Sequence, residues 1–187
     1  TTLWLSNNQI SDITPLLENT DLSGKINLKN NPISNTALTT HIPALRARGI
    51  SVYHDDIPSD IVTFKDSNLE KAIREALKIP TELLKKEGLA KLKELVVDGG
   101  NPWEPDKLLE EDKIKDLTGL EHCTGLKQLN LRNHQISDVS ALATLTKLSN
   151  IELPYNQIND ISSLSNLINL THLELQKNQL SDLSPLA

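Results

Sequence analysis

Two glutamates are the pair of side chains best suited to acid–base chemistry. Glu152 and Glu174 lie 22 residues apart, at the same position of a repeated pattern. On adjacent parallel strands they would be about 4.8 Å apart, a spacing close to that of the carboxyl groups of retaining glycosidases. A general acid needs a desolvated carboxyl, whereas this pair is expected on an open, solvated sheet. The pair does not indicate an enzyme, and we assign no catalytic residue.

The histidines and the single cysteine do not form a recognisable metal site. The nearest group of ligand-type residues is His122, Cys123 and His134, and it lacks a Cys-x-x-Cys or His-x-x-x-His spacing. The chain also has no P-loop, no Gly-x-Gly-x-x-Gly fingerprint and no Gly-x-Ser-x-Gly elbow. We therefore expect no bound metal and no cofactor.

Four aspartates recur at another position of the same pattern and could either cap turns or bind calcium. They are Asp12, Asp138, Asp160 and Asp182. A capping aspartate accepts a backbone N–H at the start of a short 3₁₀ turn. Calcium takes about six to eight oxygen ligands, whereas the pattern supplies one carboxylate per repeat. The spacing favours capping.

The pattern that carries these residues is a 22-residue repeat in the last third of the chain. Its three copies are Leu126-x-x-Leu129-x-Leu131-x-x-His134-x-Ile136, Leu148-x-x-Ile151-x-Leu153-x-x-Asn156-x-Ile158 and Leu170-x-x-Leu173-x-Leu175-x-x-Asn178-x-Leu180. A period in the low twenties with this leucine spacing is the leucine-rich repeat signature. Such repeats stack into a solenoid that usually presents a binding surface.

The same repeat opens the chain and then stops. Its copies there are Leu3-x-Leu5-x-x-Asn8-x-Ile10 and Ile26-x-Leu28-x-x-Asn31-x-Ile33. Residues 36–48 then show apolar residues at helical spacing, Gly49 is typical of a helix end, and residues 50–53 alternate like a strand. A helix and a strand after the last repeat predict a cap over the end of a solenoid.

A second cap is predicted after a short polar linker at residues 54–60. Ser67 and Glu70 stand at capping-box spacing, and Leu69 and Ile73 begin one apolar helix face. A second short helix is predicted over residues 80–86, ending near Gly88. We therefore predict two domains. Residues 1–57 are the C-terminal end of a first leucine-rich repeat domain, with two repeats and a cap, and residues 58–187 are the N-terminal helical cap and first repeats of a second one.

The predicted fold class is an α/β solenoid. It is a leucine-rich repeat horseshoe or arc with a parallel β-sheet on the concave face and helical caps. One irregularity interrupts it, because Leu95 and Leu129 are 34 residues apart, which is 22 plus 12. The extra residues, at about 101–113, include Trp103. Insertions in solenoids map to loops on one face, so Trp103 is a loop candidate for contacting a ligand or the preceding domain.

These residues resemble the bacterial internalin-type leucine-rich repeats, whose units read Leu-x-x-Leu-x-Leu-x-x-Asn-x-Ile-x-Asp-Ile-x-x-Leu. The match covers residues 1–33 and 92–187, and residues 63–77 and 31–52 look like the N-terminal and C-terminal caps of multidomain bacterial surface repeat proteins. The resemblance implies this fold, a binding role and an extracellular or cell-surface location. It carries over no ligand. His134 and Gly100 depart from the asparagine of the family pattern.

The asparagine position of the repeat is expected to be a structural ladder. It is occupied by Asn8, Asn31, His134, Asn156 and Asn178. A buried asparagine after the strand can donate to and accept from backbone groups that the bend leaves unpaired. An imidazole can also donate and accept, so His134 fits the same role.

The positions between the repeat leucines are expected to point outward from the sheet. The ligand-binding candidates on this concave face are Trp4, Gln128, Asn130, Arg132, Glu152, Tyr155, His172, Glu174 and Lys177. Exposed aromatic residues and arginine are frequent energetic anchors of interfaces. The alternative for Trp4 is a contact with a neighbouring coil or domain of the same chain.

Composition limits the class of partner. The formal net charge is −6 over 187 residues, and an acidic surface disfavours nucleic acid. No apolar run approaches the roughly 18 residues that predict a membrane span. A single cysteine excludes an internal disulfide framework. The first residues do not form a signal peptide, and the lack of an initial methionine indicates a processed or excerpted chain.

Two functions remain open from the sequence. The first is a non-catalytic adhesion or recognition module that holds a protein, or a glycan, on its concave face. The alternative is a subunit of a structural tandem array or filament that assembles head to tail. Repeats that open at Leu3 and Leu186 would expose strand edges, and a direct join would be five residues short of register. Neighbouring leucine-rich repeat domains of the same or another copy are therefore a second class of partner.

Overall fold

The computed structural model describes residues 1–34, 36–56, 59–80, 82–99 and 109–186. They form two compact units, each with its own parallel sheet. The first unit is Thr1–Thr63 with Thr81–Leu84, and the second is Phe64–Pro80 with Lys85–Ala187. Each is a stack of leucine-rich repeat coils. The domain boundary expected between residues 57 and 58 falls outside the described residues and stays a prediction.

The first unit is built on a three-stranded parallel sheet in the order β1–β2–β3. Its elements are β1 (Thr2–Trp4), α1 (Thr14–Glu18), β2 (Lys25–Asn27), a π-helical segment (Ala37–His41), α2 (Ile42–Ala47) and β3 (Ser51–Tyr53). The register pairs Leu3 with Ile26 and Ile26 with Val52. These aliphatic side chains therefore share one side of the sheet, where they pack with Leu28 and Leu45 in the core.

The helix predicted over residues 36–48 is present but irregular. It begins as the π-helical segment and continues as α2 from Ile42. Pro43 lies in the first turn of α2 and has no N–H to donate to the carbonyl four residues earlier, so a regular α-helix cannot run through this point. Gly49 follows with φ 82°, which confirms it as the residue that ends the helix.

The second unit is built on a four-stranded parallel sheet in the order β4–β5–β6–β7. Its elements are α3 (Ser67–Leu77), α4 (Lys86–Leu89), β4 (Glu94–Val96), β5 (Gln128–Asn130), β6 (Asn150–Glu152) and β7 (His172–Glu174), with 3₁₀ turns at Glu110–Asp112, Leu120–His122, Ser140–Leu142, Ser162–Leu164 and Ser184–Leu186. Leu95, Leu129 and Ile151 are aligned by the register and are at most 1% exposed. They are the centre of the core.

The inserted residues do not disturb the stack. Strands β4 and β5 pair residue for residue, Leu95 with Leu129. The repeat resumes at Ile114, which is 22 residues before Ile136 and, like it, has no exposed surface. Residues 100–108, which include Gly100 and the predicted loop contact Trp103, lie outside the described residues.

Helix α3 is capped by Asp66, and the predicted Ser67–Glu70 capping box is wrong. The Oδ1 atom of Asp66 accepts the backbone N–H groups of Asn68 and Leu69 at 2.9 and 3.1 Å. Ser67 is the first helical residue. A carboxylate suits the cap because it pairs the free N–H groups and is attracted to the positive end of the helix dipole.

The second oxygen of Asp66 joins the helix to the repeat. Its Oδ2 atom accepts the backbone N–H groups of Lys115 and Asp116 at 2.7 and 3.2 Å. These residues directly follow Ile114, where the repeat resumes. One carboxylate therefore closes the helix and fixes the first turn after the insertion.

The short helix predicted over residues 80–86 is misplaced. The helix is α4, and it contains Gly88 instead of ending before it. The carbonyl of Leu84 accepts the N–H of Val62 at 2.8 Å. Within the segment predicted as helix, this carbonyl is therefore bonded to a residue distant in sequence.

Among the described residues, no helix has the length and hydropathy needed to cross a bilayer.

Replacing Asp66 by alanine should destabilise the second unit by about 2 kcal/mol, because it removes a helix cap and leaves two further N–H groups without their acceptor. Ser67→Ala is the matched control and should change the free energy of unfolding by less than about 0.5 kcal/mol. Urea denaturation followed by circular dichroism measures both. An effect of Ser67→Ala as large as that of Asp66→Ala would restore the capping box and contradict the Asp66 cap.

Candidate functional site

A column of side-chain hydrogen bonds connects successive coils at the turn after each strand. The Oδ1 atom of an asparagine accepts a backbone N–H of the preceding coil in three places: from Ile10 to Asn31 at 3.0 Å, from Ile136 to Asn156 at 3.0 Å and from Ile158 to Asn178 at 2.9 Å. The Nδ2 atom of the same side chain donates to a carbonyl of the preceding coil and to one of its own. These bonds pair the backbone groups that the bend would leave unbonded.

Asn8 occupies the same repeat position but bonds differently. Its side chain is exposed, and its Nδ2 atom donates within its own coil, to the carbonyls of Leu5 at 3.1 Å and Ser6 at 3.2 Å. Asn8 therefore orders its own turn rather than joining two coils.

His134 replaces the asparagine in the coil of β5. Like asparagine, its side chain accepts one hydrogen bond and donates another. Its Nδ1 atom accepts the N–H of Ile114 at 3.2 Å, and its Nε2 atom lies 3.1 Å from the carbonyl of Val97. Because Nδ1 must accept, the ring is neutral with its proton on Nε2. Burial lowers the pKa of His134, and the hydrogen bond to Val97 opposes this only in part. The ring is 3% exposed, so it is a structural part of the stack.

The recurring aspartates cap turns. The Oδ1 atoms of Asp12, Asp138, Asp160 and Asp182 accept the N–H of the residue two positions later at 2.7 to 2.9 Å. Hydrogen bonds from the Thr14 hydroxyl and N–H lower the pKa of the Asp12 carboxyl, and those from the Ser184 N–H and hydroxyl lower that of Asp182. In the part of the chain that the structure describes, no three His, Cys, Asp or Glu side chains are grouped to hold a metal ion.

The outward side chains of the four-stranded sheet form two rows. The register places Glu94, Gln128, Asn150 and His172 in one row, and Val96, Asn130, Glu152 and Glu174 in the other. We call these eight residues the β4–β7 face. Five of the predicted candidates, Gln128, Asn130, Glu152, His172 and Glu174, lie together on this face. Val96 was not among the candidates, yet its side chain is 56% exposed.

Hydrogen bonds order the centre of the β4–β7 face around Glu152. Its Oε2 atom accepts from Asn130 Nδ2, and its Oε1 atom accepts from Asn150 Nδ2 at 3.0 Å. Asn130 also accepts the backbone N–H of Arg132 at 3.2 Å. The side chains of β5 and β6 are thus connected across the strands and hold defined positions before any ligand binds.

Glu174 is held in a similar way on β7. Its Oε2 atom accepts from Gln176 Nε2 at 3.1 Å, and its Oε1 atom lies 3.2 Å from His172 Nε2. Both His172 and Glu174 stay accessible to solvent. Glu152 and Glu174 are paired in register and bonded to amide and imidazole partners on the open β4–β7 face.

Three predicted candidates lie beyond the strands, on the turns. Arg132 is half-buried, and its Nε atom is buried without a hydrogen-bond partner among the described residues. Tyr155 and Lys177 have φ of 57° and 61°. The equivalent left-handed position in the other coils is held by Asn7, Asn30 and Asn133. Tyr155 is therefore a bulky residue at a position where asparagine is the usual occupant.

The three-stranded sheet presents two exposed aromatic side chains in one row. Trp4, Asn27 and Tyr53 are aligned by the register, and Trp4 and Tyr53 are 75% and 48% exposed. Tyr53 was missed from the sequence because it lies in the segment expected to cap the solenoid. The alternation of buried Ile50 and Val52 around it was the available signal.

The neutral imidazole of His134 predicts an acid-sensitive second unit. Its pKa is lower in the folded chain than the ordinary value of about 6.5, so below that pH the unfolded chain binds more protons and the free energy of unfolding falls as the pH decreases. His134→Asn supplies the usual ladder residue and should remove a slope of up to about 1.4 kcal/mol per pH unit. Urea denaturation between pH 7.5 and 5 measures it.

The matched control is His172→Asn, which changes an exposed histidine of the same unit. It should keep the pH dependence of the unmodified chain. A slope that survives in His134→Asn, or disappears in His172→Asn, would contradict the role given to His134.

Two solved structures of internalins are similar to this chain. An internalin, InlF from Listeria monocytogenes, shares 38% sequence identity over 66% of this chain with a TM-score of 0.58, and the functional domain of InlJ from the same species shares 26% over 65% with a TM-score of 0.54. The chain spans 34% of the InlF chain and 25% of the InlJ chain. No protein-family model matches the sequence, and the comparison with curated proteins finds no match.

The likeness to InlF and InlJ agrees with the repeat consensus, the parallel sheets and the asparagine ladder. The chain is similar to internalins, and its repeats and parallel sheets are those of a leucine-rich repeat solenoid.

Proposed function

We propose that this chain is a non-catalytic recognition module that binds a protein on the outward face of its sheets. The observation that carries the proposal is the hydrogen-bonded order of the β4–β7 face around Glu152 and Glu174. Side chains held in place before binding lose little conformational entropy when a partner docks. The similarity to InlF and InlJ supports an adhesion role at the bacterial surface or in secreted form, rather than the head-to-tail array.

The proposal includes the architecture around the face. In each unit the sheet lies on the concave side of an arc, and a helical segment, around α2 in the first unit and α3 in the second, caps the repeats. Residues 1–57 are the end of one leucine-rich repeat domain, and residues 58–187 are the start of the next. This organisation is supported by the separate parallel sheet of each compact unit.

Size and charge define what the partner must offer. Four strands about 4.8 Å apart span only about 15 Å, whereas a typical stable interface buries about 800 Å² on each side. Recognition must therefore extend onto the turns, where Arg132, Tyr155 and Lys177 lie. The face itself carries the carboxylates of Glu94, Glu152 and Glu174. A partner with basic groups opposite them would be favoured, and its association rate would fall with added salt.

Tyr155 is the proposed anchor of this extended surface. A bulky side chain in the left-handed region costs roughly 1–2 kcal/mol of local strain, and such strain is retained where it serves a function. The other coils that are left-handed at this turn position have asparagine or lysine there. An aromatic ring at the edge of an ordered polar face is a typical interface hot spot.

Tyr155→Asn should separate recognition from folding. It should lower partner affinity at least about tenfold while leaving the free energy of unfolding unchanged or raised by up to about 1 kcal/mol, because asparagine tolerates the turn conformation. The partner is first selected from purified extracellular proteins on the immobilised chain, and its affinity for each variant is then measured by surface plasmon resonance.

Ile168→Ala is the control, since Ile168 is 88% exposed and lies outside the β4–β7 face. It should leave the affinity unchanged. Equal losses in both variants, or unchanged binding when Tyr155→Asn and Arg132→Ala are combined, would contradict recognition through this surface.

A further inference from the structure

A small cavity lies in the first unit beside the turns that follow β2 and β3. Its volume is about 200 Å³, and its apolar lining is formed by Pro32, Ile33, Leu38 and Leu83. Sites for drug-sized ligands and cofactors are usually about 300–1,000 Å³. The cavity is too small for such a molecule but has the scale of a single side chain.

Two acidic residues also line the cavity. They are Asp55 and Asp56, and His54 lies next to them in the lining. The Oδ2 atom of Asp55 accepts the backbone N–H of Asn30 at 2.7 Å, which orients the carboxylate. The Nδ1 atom of His54 lies 2.6 Å from the carbonyl oxygen of Asp55, so this nitrogen acts as the donor of that bond.

The remaining polar residue of the lining offers nothing to a ligand. Asn31 uses its Oδ1 atom for the N–H of Ile10 at 3.0 Å and its Nδ2 atom for the carbonyl of Leu5 at 2.7 Å, as part of the asparagine ladder. The lining is thus mainly apolar, with two acidic side chains that remain exposed to solvent. An anion would be repelled by their negative charge, and a purely apolar ligand would leave that charge unmatched.

We propose that this cavity binds an arginine side chain of the protein partner. The aliphatic stem lies on Leu38 and Leu83, and the guanidinium group bonds to Asp55 and Asp56. Long basic side chains pack their stems on apolar surface and keep the charged end at its edge. Arginine is favoured over lysine because its planar group can bond two carboxylates at once. This inference rests on the proposed protein-binding function, since the partner supplies the side chain.

N-acetyl-arginine methylamide is a probe that tests the cavity without a protein partner. Added to the full chain, it should shift the methyl NMR signals of Ile33, Leu38 and Leu83 in a saturable way, with a dissociation constant on the order of millimolar. N-acetyl-citrulline methylamide has nearly the same shape without the charge. Its affinity for the cavity should be at least about tenfold lower, because charge-assisted hydrogen bonds are lost.

Asp55→Asn combined with Asp56→Asn should reduce binding of the arginine probe to the level of the citrulline probe. The amide oxygen at position 55 can still accept the Asn30 N–H, so the turn is preserved. Asp21→Asn, a change of an exposed aspartate of the same unit, is the matched control and should leave binding unchanged.

Equal binding of the two probes, or undiminished binding in the double variant, would overturn the proposal. The outcome is independent of the test of the β4–β7 face. Loss of partner binding in Tyr155→Asn with no response to the arginine probe would reject the cavity and retain the recognition function. A response to the arginine probe, together with unchanged partner binding when Tyr155→Asn and Arg132→Ala are combined, would reject the β4–β7 face and retain the cavity.

Discussion

The pairing of buried backbone groups at the turn after each strand is the constraint on which the rest of the structure depends. A solenoid coil bends sharply there, and its N–H and carbonyl groups face the next coil instead of water. In three coils an asparagine side chain, as at Asn31 and Asn156, accepts from the preceding coil and donates to both coils, and His134 takes this role in a fourth. Buried backbone groups left unpaired would each cost about 1–3 kcal/mol, so the ladder fixes the position of every coil relative to its neighbour.

The order of the strand face follows from this constraint. With the coils fixed, the register aligns Leu129 and Ile151 in the core and turns Asn130 and Glu152 outward. The outward side chains then lie close enough to bond to one another across strands. The same polar chemistry thus has two uses: buried, it holds the stack together, and exposed, it presents a preformed surface. His134, which stands where the repeat usually has asparagine, still connects the coils, but this connection is sensitive to protonation of its ring.

Much of this could be predicted from the sequence, because the repeat sets both the period of the coils and the phase of their side chains. The register across the 34-residue spacing between Leu95 and Leu129 agrees with the leucine pattern alone. What could not be predicted depends on partners distant in sequence. The Asp66 cap is a local feature that the sequence could have shown, but the bonds of its second oxygen to residues 115 and 116 could not be foreseen.

The other misses have the same origin. The position of α4 depends on the bond between the Val62 N–H and the Leu84 carbonyl. Tyr53 lies in one exposed row with Trp4 because β3 pairs with β2 in the register that places it beside Asn27. Asn8 shares the repeat position of the ladder, but its side chain bonds to carbonyls of its own coil. For α4 and Tyr53, a contact between residues distant in sequence decided what the local pattern left open.

Amide hydrogen exchange of the second unit tests most directly whether the ladder fixes the stack. The N–H groups of Ile136 and Ile158 bond to the ladder asparagines Asn156, which is buried, and Asn178, which is half-buried, whereas those of Ser140 and Ser162 bond to exposed aspartates. The account predicts that the two ladder amides exchange only when the unit unfolds, and that the two serine amides exchange much faster through local opening. Exchange of the ladder amides as fast as that of the serine amides would contradict it.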